Sequence, residues 1–243
     1  MKLRTDVYGE GQPRKLLLAH GLFGQARNFR TLAKSLSDTF EVTVPDMRNH
    51  GGSPWAETHG YEEMAEDLAP LAGGAVLGHS MGGKAAMMLA LTRPERVEQL
   101  IVADIAPVDY GGETHPQLEA MARLDPDQPS RTAARDALEV EEHLKDFLVQ
   151  SLDLKEKRWT INLDTLRAEM TGIFGWPEIE ATYEGPTLFL TGGESDYVRP
   201  EHREAIKALF PHARFAKIPG AGHFLHAEKP EAFEGTVRAF LGA

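Results

Sequence analysis

The sequence predicts an α/β protein: a mostly parallel central sheet with helices on both faces, interrupted by a helical insertion. Two observations carry this. Short apolar runs of strand length alternate with amphipathic stretches of helical spacing, and that alternation stops over residues 105–183 before resuming at residue 187.

Residues 2–8 alternate and read as an edge strand. Residues 16–20 are largely apolar, as a strand covered on both faces should be. A helix is expected over 28–36 and a strand over 41–46. Residues 61–71 set Met64, Leu68 and Leu71 at helical spacing. A buried strand at 75–79 runs directly into a helix over 82–92, and 97–104 is a further strand. Within 105–183 no run reads as a strand; 133–152 and 163–170 read as helices. The core pattern then returns as a strand at 187–192, a helix at 200–210, a strand at 214–218 and a helix at 230–241. The core is therefore expected at 1–104 and 184–243. Residues 105–183 are expected to form a cap over the carboxyl edge of the sheet, where open α/β sheets bind ligands.

Composition narrows the function. With 42% hydrophobic and 26% charged residues, the 243-residue chain has the balance of a globular protein. A net charge of -11 disfavours general nucleic-acid binding, which needs concentrated Lys and Arg. The absence of cysteine excludes disulfides, thiolate catalysis and Cys-ligated zinc. The longest apolar runs, such as 15–19, are far short of a membrane span, and residues 1–11 lack the pattern of a secretion signal. A cytoplasmic enzyme is expected; its oligomeric state is left open. Neither H-E-x-x-H nor a strand-linked G-x-G-x-x-G occurs, so neither a metal nor another cofactor is expected.

Gly78-His79-Ser80-Met81-Gly82 is a G-x-S-x-G pentapeptide between an expected strand and an expected helix, the setting of a nucleophile elbow. Ser80 is the candidate nucleophile, exposed in a tight turn at a helix N-terminus. His20-Gly21-Leu22-Phe23-Gly24 follows the first buried strand, so the amides of Leu22 and Met81 are the candidate oxyanion donors. Of the 10 histidines, His223 alone combines the position just after the last strand, in Gly222-His223-Phe224, with the chain order Ser…Asp…His expected of the base. His20, His50, His79 and His226 lie near motifs and read as structural. Two carboxylates compete to orient His223. Asp196, in Gly193-Glu194-Ser195-Asp196, follows the strand at 187–192, and Asp104 ends the strand at 97–104. Position favours Asp196. Residues 46–54, Asp46 to Pro54, read as a structural turn whose polar side chains satisfy loop backbone.

Taken together, HGLFGQARNF, DMRNHGGSP, GHSMGGKAAMMLAL, ADIAPVDY and GAGHFLHAEKP closely resemble the YbfF-like esterases of the α/β-hydrolase superfamily. The resemblance runs from Leu3 to the C-terminus and is weakest over 111–159. It implies an α/β-hydrolase fold, in whose strand count the cap follows the sixth core strand. It also implies an esterase or thioesterase acting on small acyl esters or acyl-CoA. The resemblance moves the acid role toward Asp104, with Ser195 as a supporting hydrogen-bond partner near His223. Phe23, Trp159, Phe174 and Trp176 are the expected pocket walls. The competing readings are a lyase or perhydrolase on the same scaffold, and a ligand-binding protein with slow turnover.

Overall fold

The computed structural model describes residues 1–243. Before the insertion the chain lays down β1 (Thr5–Tyr8), β2 (Arg14–Ala19), α1 (Arg30–Leu36), β3 (Phe40–Pro45), α2 (Tyr61–Leu68), β4 (Gly74–His79), α3 (Met81–Thr92) and β5 (Val97–Ala103). The insertion contributes α4 (Pro116–Arg123), α5 (Arg131–Ala137), α6 (Glu142–Val149), β6 (Leu152–Asp153), β7 (Arg158–Trp159), α7 (Leu163–Ala168) and α8 (Met170–Phe174). The chain ends with β8 (Thr187–Gly192), α9 (Arg203–Leu209), β9 (Ala213–Ile218), α10 (Leu225–Glu228) and α11 (Pro230–Leu241).

Seven strands form one sheet in the order β1-β3-β2-β4-β5-β8-β9. Only β1 runs antiparallel, paired to β3; every other pairing is parallel. This is the α/β-hydrolase architecture. Five of these strands precede the insertion, one fewer than the expected six, because a single antiparallel strand precedes the buried β2.

Strand side chains alternate between faces, and both faces are covered. Leu17, Ala19, Val76, Leu100, Val102 and Phe189 pack with α2, α3 and α9. Their neighbours Leu16, Leu18, Leu77, Ile101, Leu188 and Leu190 pack against α1 and α11. Each fully buried leucine or phenylalanine contributes about 1.5–3 kcal/mol. Helix α3 is buried along nearly its whole length, Lys84 included.

The insertion has its own apolar cluster, from Leu118 to Ile173, joined by Phe23 of the core. Its expected helix at 133–152 is two helices, α5 and α6, separated near Leu138 and Glu141, whose extended backbone breaks the helical run. A two-stranded hairpin, β6 with β7, stands where no strand was expected, since two-residue strands leave no periodic pattern to read. Tyr183 packs in the core with Phe210 and donates its hydroxyl to the Val97 carbonyl at 2.7 Å, so the returning chain has already rejoined the core there.

Candidate functional site

The carboxyl ends of five adjacent parallel strands meet at one edge of the sheet, and each delivers one piece of the site. The loop after β2 brings residues 20–24, the turn after β4 brings Ser80, and the turn after β5 brings Asp104. Ser195 follows β8 and His223 follows β9.

Ser80 has φ 53 and ψ -121, a positive-φ conformation that a non-glycine residue adopts only when its surroundings impose it. The flanking glycines permit the turn. A Cβ on Gly78 would collide with the Gly82 carbonyl, and one on Gly82 with the carbonyls of Ala19 and His20. The Ser80 amide donates to the Ala103 carbonyl at 3.0 Å, and the Ser80 carbonyl accepts from Gly83 at 2.8 Å and Lys84 at 3.1 Å. The hydroxyl is thus fixed at the start of α3.

His223 Nε2 lies 3.0 Å from Ser80 Oγ, and His223 Nδ1 lies 2.7 Å from Asp104 Oδ2. Asp104 is fully buried, and its Oδ1 accepts from the Gly192 amide at 3.0 Å. Ser195 Oγ donates to Asp104 Oδ2, the same oxygen that faces His223. Asp196 is not brought to His223. It is exposed at the cavity rim, so the position-based preference for it is corrected. The residue after β8 that turns inward is Ser195, and the buried carboxylate at the end of β5 takes the imidazole. Such an array can move the Ser80 proton onto His223 Nε2 while Asp104 holds Nδ1–H.

Tyr197 stacks on the His223 ring, centroids 3.9 Å apart at 20°. On the other side, the Nε2–H of His79 donates to the His223 carbonyl at 2.8 Å. Tyr197 was not anticipated from the sequence, because stacking depends on loops of β8 and β9 meeting in space.

Two buried histidines shape the loop after β2. The Nδ1–H of His20 donates to the Gly21 carbonyl at 2.8 Å and its Nε2 accepts from Met47 at 2.9 Å. The Nδ1–H of His50 donates to the Arg48 carbonyl at 2.8 Å and its Nε2 accepts from Phe23 at 3.2 Å. Both rings must be neutral to accept there. Burial pulls His20 down to about 4 and His50 to about 3, the latter also repelled by His20. Asp46 Oδ1 accepts from Ala26 at 2.7 Å and Oδ2 from Gly52 at 2.8 Å. The turn at residues 46–54 is therefore a brace for the Leu22 loop. Neither the Leu22 nor the Met81 amide donates to a protein acceptor, and both residues line the cavity above Ser80.

That cavity measures about 520 Å³ and runs between the sheet edge and the insertion. Phe23 and Phe174 line it, with His115 between them: its ring is edge-on to Phe23 at 5.1 Å and parallel to Phe174 at 5.9 Å. The expected walls Trp159 and Trp176 lie elsewhere. Trp159 is buried in the apolar cluster of the insertion at the β6–β7 hairpin, and Trp176 packs behind Tyr61 at 6.1 Å. Large aromatics signal burial in a sequence, but not which side of a cap helix they face. No cluster of three or more His, Asp or Glu is arranged to hold a metal, and no helix is long and apolar enough to cross a membrane.

A model of the alpha/beta hydrolase family matches residues 16–236. The chain is 38% identical to the sn-1-specific diacylglycerol lipase ABHD11 of Danio rerio, covering 99% of this chain and 83% of that protein. It is 37% identical to esterase YbfF of Escherichia coli K12, covering 93% and 92% respectively. A solved marine microorganism esterase superposes with a TM-score of 0.93 at 35% identity, over 99% of both chains.

Proposed function

Because this chain belongs to the alpha/beta hydrolase family and its relatives are named esterases and lipases, its reaction class is ester hydrolysis, and we propose that it proceeds through a covalent acyl-enzyme at Ser80. The observation that carries the reading is the continuous Ser80–His223–Asp104 array at the mouth of an apolar-walled cavity.

His223 Nε2 takes the Ser80 proton as Oγ attacks the ester carbonyl carbon. The carbonyl oxygen gains the charge, held by the Leu22 and Met81 amides; one such donor is worth about 3 kcal/mol of barrier. The C–O bond to the leaving group breaks, and His223 hands its proton to the departing alcohol. A water then gives its proton to the same Nε2, attacks the acyl carbon, and releases the acid with Ser80 restored. Asp104 holds Nδ1–H and stabilises the imidazolium.

The proposed substrates are small acyl esters, with acyl-CoA thioesters as the second leaving-group class, handled in the cytoplasm by a cap spanning residues 105–183. The cavity supports the first part: its walls are largely apolar beside Ser80, with Glu141, His143 and Arg199 also contributing to its lining. A fluorophosphonate probe tests the core claim. It should label Ser80 in the wild type, and Ser80→Ala should lose about a million-fold in kcat on p-nitrophenyl esters while keeping its melting temperature. Label on another serine, or an active variant, refutes the reading. A chain-length series run with p-nitrophenyl esters and with acyl-CoA thioesters then decides the leaving group.

A further inference from the structure

Lys84 is the one charged residue in the otherwise apolar helix α3, and it is 1% exposed. Its Nζ has three N–H groups and three acceptors: the carbonyls of Val108 at 3.0 Å, Phe174 at 2.7 Å and Gly175 at 2.6 Å. Val108 lies where the chain leaves the core for the insertion, and Phe174–Gly175 where α8 ends and the chain returns. The same two crossings are joined by the Tyr110 amide, which donates to the Phe174 carbonyl at 3.1 Å. The ammonium also lies 4.9 Å from the Tyr110 ring centre and 5.5 Å from that of Tyr61, within cation–π range. One side chain of the core thus holds both ends of the insertion together.

Phe174 is also a cavity wall. Its carbonyl is gripped by Lys84, its ring lies parallel to His115, and Gly112 packs so closely that a Cβ there would stand 2.9 Å from the ring. The position of the Phe174 ring over the cavity therefore follows from where the clamp sets its backbone.

We propose that Lys84 is a positioning residue for substrate selection, whose ammonium clamps both crossings between core and cap and so fixes the Phe174 wall of the acyl cavity. This rests on reading Ser80 as the nucleophile of an ester hydrolase. The clamp needs the charged form, because a neutral amine has two donors for three carbonyls. Burial draws the Lys84 pKa down to about 7, opposed by the nearby Asp109 carboxylate. The other titratable groups facing it, Tyr61 and Tyr110, have pKa values raised by burial and stay neutral.

The test is the ratio of kcat/KM between the best and worst acyl chain lengths in a p-nitrophenyl ester series. Lys84→Met keeps the stem and removes the clamp, and the ratio should shrink about tenfold. Fluorophosphonate labelling of Ser80 in the same variant reports separately on the nucleophile. Loss of labelling in both variant and wild type would indict the hydrolase reading and not the clamp. A uniform loss across all chain lengths, or no change at all, overturns the proposal. If Lys84→Met does not fold, the wild type decides. Proton transfer at His223 cancels in a ratio of two esters, so discrimination should shrink as pH rises from about 6 to about 10 and Lys84 loses its proton. A ratio constant across that range overturns the proposal equally.

Discussion

Asp104 Oδ2 stands 2.7 Å from Nδ1 of His223, while Asp196, in the loop after β8, is exposed at the cavity rim. The two carboxylates can therefore be separated by mutation. Asp104→Asn keeps an oxygen for the Gly192 amide but offers His223 no anion, and should cost about 10⁴-fold in kcat. Asp196→Asn should change kcat by less than about threefold, as a surface substitution that touches no buried partner. Steady-state kinetics on one p-nitrophenyl ester suffices, and a larger loss from Asp196→Asn reverses the assignment.

The Tyr197 ring gives a finer test of how His223 is held. Stacked at 3.9 Å, it restrains the orientation of the imidazole between Ser80 and Asp104. Tyr197→Ala should lower kcat about three- to tenfold with little change in KM, while Tyr197→Phe, which preserves the stack, should stay near wild type. Equal losses in both variants would point to the hydroxyl instead.

Chain-length preference should follow the wall that lines the cavity and not aromatic size. Phe174→Ala enlarges the cavity and should shift the optimum to longer or bulkier acyl groups, with preferences changing by about tenfold or more. Trp176→Phe, behind Tyr61, should leave the optimum in place. An unmoved optimum in Phe174→Ala would make the insertion a cover and not a selector.

The buried neutral histidines predict acid sensitivity. Burial lowers His20 to about 4, His50 to about 3 and His226 to about 4, and pushes His59 and His79 well below their ordinary value. Below about pH 6.5 the unfolded chain binds protons at these positions that the folded chain refuses. Their stabilising contribution is complete above that pH and is lost as pH falls toward the folded values. Thermal melts should show Tm falling by about 10 °C or more between about pH 6.5 and about pH 4. A flat Tm across that window would mean that these rings accept protons in place.

The sequence by itself determined the parts of this protein that are local. The elbow at residues 78–82 was legible because its glycines, its serine and the strand and helix around it are consecutive, so sterics alone dictate the turn. The buried strands followed from apolar runs that bury both faces, and His223 from its place just after the last strand. Lys84 left a readable trace too, as a lone charge in an apolar helix, though its partners did not. Only the tertiary structure decided which carboxylate faces His223, that Tyr197 covers its ring, and which aromatics line the cavity. Those relations join loops from different strands, or depend on which side of a short cap helix meets the core. Residue type specifies that an aromatic or a carboxylate will be buried or partnered; the partner is chosen by packing between segments distant in the chain.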